Sequence, residues 1–463
     1  VSGEAGGPDG RSAILVATIA SFVAPFMGAA VNVALPAIGA EFSLPAVSLG
    51  WVATAYLLAA AVFLLPFGRL GDLYGRKRIF LAGNVLFTIA SLLCAFAGSA
   101  TMLVGARFLQ GVGAAMIFGT SVAIVTSAVP PGKRGRALGV AVAATYLGLS
   151  LGPVVGGFLT HGLGWRSIFL FTATLGALVI AFVVLRLKGE WTGAKGERFD
   201  APGAVLSSGS LASLMYGFTR LPAAAGAWLI LAGAAGLLAF GLWELRARHP
   251  LIDLRLAAGN RVFAFSNLAA LVNYSASFAV GFLMSLYLQY VKGFDPRQAG
   301  AVLVAQPIVM ALCSPFAGRL SDRIESRIVA SAGMAITAAS LFLFIFLGAG
   351  TPLAAVVLNL MLLGLGFALF SSPNTNAVMS SVESRFYGVA GATLGTMRAA
   401  GQMMSLGIAM LVFALVLGGA RITPELHGRF VESVRLAFVV FAALSVAAVF
   451  ASLARGSVRG RAE

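Results

Sequence analysis

Two arginines stand where arginine is costly. Arg107 falls about six residues inside one unbroken apolar run and Arg398 about eleven inside another, roughly 9 and 16 Å deep at 1.5 Å per residue. Facing hydrocarbon, each would cost about 2.5 to 3.5 kcal/mol even on the lowest insertion scale, so both are expected to face an interior cavity. Gln110 follows Arg107 by three positions, and Gln402 and Ser405 follow Arg398 by four and seven, so each set shares one helical stripe. Such a cavity favours an anion or a neutral amphipath over a dication. The competing reading is an arginine held by backbone carbonyls for structure alone. Other polar residues within apolar runs are candidates for the same wall: Asn32, Tyr56, Tyr146, Asn273, Tyr274, Tyr287, Gln289, Gln306, Asn374 and Asn376. Any one of them would serve equally well as a hydrogen bond between helices.

A second pattern occurs twice. PFGRLGDLYGRKR, Pro66 to Arg78, and PFAGRLSDRIESR, Pro315 to Arg327, both set Gly-Arg-Leu-x-Asp after a Pro-Phe pair. Asp72 and Asp322 then lie at the ends of apolar runs, where a carboxylate can meet a neighbouring helix N-terminus and nearby guanidinium groups. Together with Gly68, Gly75, Arg76, Lys77, Arg78, Gly318 and Arg323, they are the candidates for a gate that holds one end shut. A solvated basic turn is the alternative.

Membrane helices must position these residues. The chain of 463 residues is 59% hydrophobic and 10% charged, with a mean hydropathy of +0.95, whereas a soluble domain carries roughly a quarter charged residues. That composition excludes a soluble protein. Runs long enough to cross about 30 Å of hydrocarbon fall at roughly 12–35, 50–68, 79–98, 101–127, 137–160, 167–187, 201–220, 226–246, 262–290, 298–318, 328–348, 353–379, 387–418 and 433–455. Fourteen spans put both termini on one side. Loops on the side of the termini hold about 23 Lys and Arg and those on the other side about 7, so both termini are expected in the cytoplasm of a multi-pass protein of the plasma (inner) membrane. Most of the net charge of +16 is therefore orientation and implies no nucleic-acid partner. Cys94 and Cys313 both lie in apolar runs, which suits packing rather than a disulfide or a metal site.

The two Gly-Arg-Leu-x-Asp copies end the second and tenth spans, and GVGAAMIFGTSVAIVTSAV from Gly111 and GLGFALFSSPNTNAVMSSV from Gly364 occupy equivalent places further on. A parallel internal repeat accounts for both matches. The expected organisation is a disordered tail (1–11), a six-helix half (12–187), a cytoplasmic linker (188–200), two inserted helices (201–246), a second linker (247–261), a second six-helix half (262–455) and a cytoplasmic tail (456–463).

Over nearly its whole length the chain resembles the major facilitator superfamily, in its fourteen-helix drug:proton antiporter branch. GRLGDLYGRKR resembles the superfamily's signature loop, and LVGARFLQGVGAA the helix 4 motif with an embedded arginine. GLSLGPVVGG, with Gly148, Gly152, Pro153, Gly156 and Gly157, resembles the antiporter motif of helix 5, while WVATAYLLA, FDAPGAVL and HPLIDLRL are similar to further family segments. The resemblance implies an all-α polytopic fold with two pseudo-symmetric halves and an exporter of small amphipathic molecules, working by alternating access as a monomer with protons as the candidate coupling ion.

One departure bears on that coupling. The branch's helix 1 segment resembles LDxTIVNVALP, and the resemblance implies that its Asp helps bind protons or cationic drug; here FMGAAVNVALP puts Met27 at that position. The remaining acids fall at span ends or in loops, leaving Asp72, Asp322 and Glu383 as peripheral proton carriers. A facilitator or exchanger of organic anions or lipid-like molecules without proton coupling is the alternative function. An enzyme is disfavoured, since no HExxH, GxxxxGK[ST] or GxSxG motif and no cofactor or metal motif occurs.

Overall fold

The computed structural model describes residues 8–129, 131–187, 189–193, 197–247, 250–251, 259–382, 387–418 and 420–454. The outer parts of both tails, His249 and residues 252–258 of the second linker, Lys188, Lys195 and Glu383 lie outside the described residues, as do the side chains of Lys133, Arg134, Arg136 and Asp322. The helices in chain order are α1 (Pro8–Phe42), α2 (Ala46–Tyr74), α3 (Arg76–Ala95), α4 (Ala100–Ala128), α5 (Pro131–Leu163), α6 (Arg166–Arg186), α7 (Ala201–Arg220) and α8 (Ala224–Glu244). They continue with α9, built from Arg261–Ser277, Ala279–Leu286 and a π-helical turn Tyr287–Val291, then α10 (Pro296–Leu303 and Ala305–Arg323), α11 (Ser326–Phe344), α12 (Leu353–Ser380), α13 (Tyr387–Val416) and α14 (His427–Leu453).

Short polar residues fix where several helices begin. Ser99, Asp200 and Asn260 each accept the backbone N–H three residues on, and Asp295 forms a reciprocal capping box with Gln298. Twelve of the helical segments are long and apolar enough to cross a membrane. Among the described residues α7 lies outside that set because Ser207, Ser208, Ser210 and Ser213 dilute its apolar run, and α5 lies outside it because side chains of its first turns are not among the described residues.

The internal repeat reappears as a repeat of packing. In the first half α1 packs on α5, α2 on α4, and α3 on α4 and α6; in the second, α9 packs on α13, α10 on α12, and α11 on α12 and α14. The matched glycines do matched work. A Cβ on Gly111 would overlap the Tyr56 carbonyl of α2, and one on Gly364 the Gln306 carbonyl of α10. Two residues on, Gly113 lies against Gly83 and Phe87 of α3, and Gly366 against Gly333 and Thr337 of α11. Helices can approach this closely only where no side chain intervenes.

Contacts between the halves run along two seams, α2 with α13 and α5 with α10, with α1 meeting α9 between them. At the end carrying the α1–α2 turn, one apolar core draws on both halves, including Leu35, Leu49, Ile168, Leu283, Leu406, Phe413 and Phe430. At the end carrying the termini the core divides. Val16, Phe80, Ile124 and Val183 belong to a cluster of the first half, and Phe263, Met334, Phe370 and Ala448 to one drawn from the second, which Tyr146 of α5, with Leu149 packed on it, joins from the first. Helix α7 packs on α8 and along both α2 and α13, where Leu211 and Met215 join Leu58, Val62 and Met403 and the Ser208 hydroxyl donates to the Val62 carbonyl at 2.9 Å. Only 17% of the apolar window of α8 is buried, against 67% for α2, so α8 lies outermost.

Candidate functional site

The two membrane arginines meet different fates. Arg107 is 1% exposed in the first half. Its Nε donates to the Val52 carbonyl at 2.9 Å, Nη1 donates to Gln110 Oε1, and the guanidinium lies 4.5 Å above the Tyr56 ring. Gln110 in turn donates to Ser91 Oγ at 2.7 Å. A carbonyl, an amide and an aromatic face together stabilise a buried cation that has no carboxylate partner among the described residues. Three of the residues expected on one cavity wall, Tyr56, Arg107 and Gln110, are thus gathered inside the first half and directed at one another.

Arg398 is only half-buried and is incompletely engaged. Nη2 donates to Thr375 Oγ1 of α12, the guanidinium carbon lies 5.7 Å from the centre of the Tyr274 ring of α9, and Nε is buried without a hydrogen-bond partner. Tyr274 packs edge-on to Phe367 of α12 at 5.1 Å, with the Ser371 hydroxyl beside its phenol. Phe367, Ser371 and Thr375 recur every four residues and so share one face of α12. From the opposite half, Tyr146 of α5 joins the same apolar cluster as Tyr274 and Phe367. The described ion pairs, Arg69–Glu197, Arg76–Asp72, Arg78–Glu190, Arg166–Glu41 and Arg327–Glu325, all lie at helix ends or in linkers, and none includes Arg398.

The other candidates are dispersed. Asn273 is fully buried beside Tyr274 in sequence, with both amide atoms unpartnered, while Asn374 donates to the Ser266 carbonyl at 3.1 Å and Asn376 approaches Ser321 Oγ at 3.5 Å. Gln306 and Gln402 are half-buried. Tyr287 lies at the far end of α9, where its hydroxyl donates to the Gly348 carbonyl at 2.7 Å. Gln289, in the π-helical turn, donates to the Val33 carbonyl of α1 at 3.0 Å, and Ser285 Oγ donates to the Asn32 carbonyl at 2.6 Å. Met27 is fully buried in the core shared by the halves.

At the other end, the turn between α2 and α3 is tied to its own half. Asp72 accepts from Arg76 at 2.8 Å, and Arg76 also donates to the Ala123 carbonyl at 3.1 Å and to Ser127 Oγ at the end of α4. Gly75 has φ +120°, a conformation that favours glycine, and a Cβ there would stand 2.6 Å from Glu190 Cδ. The segment after α6 straps this turn: Glu190 accepts the Lys77 backbone N–H at 2.8 Å, Leu187 O accepts from Lys77 Nζ, Trp191 O accepts the Arg76 N–H at 2.9 Å, the Asp72 carbonyl accepts the Gly193 N–H at 3.0 Å, and Glu197 pairs with Arg69.

The helix 5 glycines divide between two partners. A Cβ on Gly152 or Gly156 would stand 2.7 Å from Ala29 or Ala30 of α1, and one on Gly148 would overlap the Phe22 carbonyl. Gly157 faces the opposite half, with a Cβ 2.5 Å from the Pro296 carbonyl, and Gly300 of α10 meets the Pro153 carbonyl in return. One motif therefore seats α5 on α1 and on the seam to the second half.

A sequence profile of the Major Facilitator Superfamily matches residues 17–259 and 266–461. The chain belongs to this superfamily. It is a multi-span membrane transporter of small molecules and not an enzyme. The chain is 32% identical over 390 residues to the riboflavin transporter RibZ of Clostridioides difficile (strain 630), covering 83% of this chain and 84% of that protein. It is 33% identical over 406 residues to the multidrug resistance protein Stp of Mycobacterium tuberculosis (strain CDC 1551 / Oshkosh), covering 86% and 74%. Among solved structures, a bacterial homolog of the human lysosomal transporter Spinster, in an inward-facing and unoccupied conformation, superposes with a TM-score of 0.72 at 17% identity, over 97% of each chain.

Several groups that matter in this transporter escaped sequence reasoning. Phe367, Ser371 and Thr375 form a stripe that a count of every fourth residue along α12 reveals. Ser285 was signalled indirectly by Pro36, which leaves the Asn32 carbonyl without its helical donor. Glu190 and Glu197 carry no local signal, since their partners lie more than a hundred residues away in the chain.

Proposed function

We propose that this transporter exports small amphipathic molecules, neutral or anionic, across the plasma (inner) membrane by alternating access, as a monomer with both termini in the cytoplasm and as six helices, an inserted pair and six more. The observation that carries the reading is the single core at the α1–α2 end against the divided cores at the other. Rigid halves joined at one end and parted at the other are what a rocking exchange requires. With the basic loops taken as cytoplasmic, the divided end opens inward. The name of the mycobacterial relative supports efflux. Asp72, bound within its own half, is then a gate in its released state, awaiting the outward-facing form.

Uncoupled exchange of an organic anion is the second reading, and Met27 favours it, because the centre of α1 offers no titratable group. Proton antiport would instead run through Asp72, Asp322 or Glu383. The test is reconstitution into vesicles that enclose a pH dye and a fluorescent amphipath. Efflux absent from protein-free vesicles supports export, and no efflux from monodisperse protein overturns it. Proton entry in step with efflux assigns antiport; efflux at constant internal pH assigns exchange.

A further inference from the structure

Arg398 has five N–H donors, of which one is directed at Thr375, while its Nε is buried and unpartnered. It sits about 16 Å along α13 from Tyr387, close to mid-membrane. Water alone is a poor partner at that depth, and the described ion pairs supply no carboxylate. Arg107 is the internal comparison. It has the same charge, but a carbonyl, an amide and an aromatic ring surround it and it is 1% exposed, so it is closed to a ligand. The groups next to Arg398 are flat and apolar: Tyr274 below the guanidinium, Phe367 edge-on to Tyr274, and Tyr146 contributed by the other half.

We propose that Arg398, Tyr274, Phe367, Thr375 and Tyr146 form a subsite for planar aromatic anions, in which the ring system packs among the aromatic side chains and its carboxylate or phenolate meets the free edge of the Arg398 guanidinium. The charge supplies selectivity by sign, and the aromatic groups supply affinity that any flat molecule shares. Because Tyr146 comes from α5 and the rest from α9, α12 and α13, rocking of the halves would take the subsite apart. A bound anion would therefore be released as the halves move. The subsite deepens the export reading and rests on it for its place in a transport cycle, although binding can be measured independently.

The experiment uses two dyes with one xanthene skeleton, fluorescein as the anion and rhodamine 123 as the cation, and reads fluorescence anisotropy on the intact detergent-solubilised protein. Fluorescein is expected to bind at least tenfold more tightly than rhodamine 123. Arg398→Gln should lower fluorescein affinity about tenfold without weakening rhodamine 123, Arg398→Lys should retain part of the preference, and Phe367→Ala should weaken both dyes alike. The proposal is overturned if rhodamine 123 binds as tightly as fluorescein, if Arg398→Gln changes both dyes equally or neither, or if monodisperse protein binds neither dye. Vesicle efflux separates the two levels: movement of rhodamine 123 without fluorescein binding removes the subsite and leaves export, whereas bound fluorescein with no efflux of either dye removes export and leaves the subsite.

Discussion

Ser285 of α9 donates its hydroxyl to the Asn32 carbonyl of α1, 2.6 Å away across the junction of the halves. That carbonyl is available because Pro36, four residues on, has no N–H to give it. Gln289 adds a second bond one residue further, to the Val33 carbonyl. The Asn-Val-Ala-Leu-Pro segment thus works through its backbone as a polar latch within the shared core.

Weakening this latch should favour opening at the α1–α2 end. Ser285→Ala removes one hydrogen bond, and Pro36→Ala gives the Asn32 carbonyl a competing helical donor; a bond of about 0.5 to 1.5 kcal/mol corresponds to a shift of roughly 2- to 10-fold. The readout is the labelling rate of Gly281→Cys by an impermeant maleimide, with Cys94 and Cys313 replaced, since a Cβ at Gly281 would stand 3.7 Å from the Asn32 amide nitrogen. Both variants should label faster, and the double variant little faster than either. Independent, fully additive effects would show that the two residues do not share one bond.

The strap on the α2–α3 turn leads to a kinetic prediction. Asp72→Asn removes the negative charge opposite Arg76 and weakens its 2.8 Å contact, and Glu190→Gln loosens the Lys77 and Arg78 contacts. A gate acts on the conformational step, so turnover in vesicles should fall several-fold while equilibrium ligand affinity stays within about twofold. Equal loss of both would return Asp72 to a purely structural part.

Glycine contacts on the two faces of α5, one made by Gly300 of α10 and one by Gly148 of α5 itself, should fail differently. Gly300→Ala strikes the Pro153 carbonyl across the seam, whereas Gly148→Ala strikes the Phe22 carbonyl inside one half. Overpacking typically costs about 1 to 3 kcal/mol. The seam variant should lose transport at least tenfold with a nearly unchanged thermal midpoint, and the internal variant should lower the midpoint. A thiol-reactive fluorophore reports unfolding through the fully buried Cys94. Matching losses in both measurements for both variants would remove the distinction.

Helix positions were legible because hydrocarbon demands long apolar runs, and the expected start of α7 at residue 201 agrees with Ala201. The repeat was legible too, because Gly111 and Gly364 answer to the same backbone proximity in each half. Side-chain saturation was not legible. Arg107 and Arg398 look alike in sequence, and what separates them is the Val52 carbonyl and the Tyr56 ring, delivered by α2 from about fifty residues away. The polar residues inside spans therefore mixed a sealed nest around Arg107, a latch between α1 and α9 and the open set around Arg398 with dispersed groups such as Tyr287 and Asn374.

The position of α7 makes the molecule two-faced toward its solvent. By lying along α2 and α13 it roofs one seam, and α8 lies outside it. Among the described contacts no further helix covers the seam of α5 and α10. Acyl chains can therefore touch the junction of the halves along one flank only, and a lipophilic solute drifting sideways out of the bilayer would meet the exposed Phe158 ring beside Arg297 there, with Gly157 and Gly300 buried behind it.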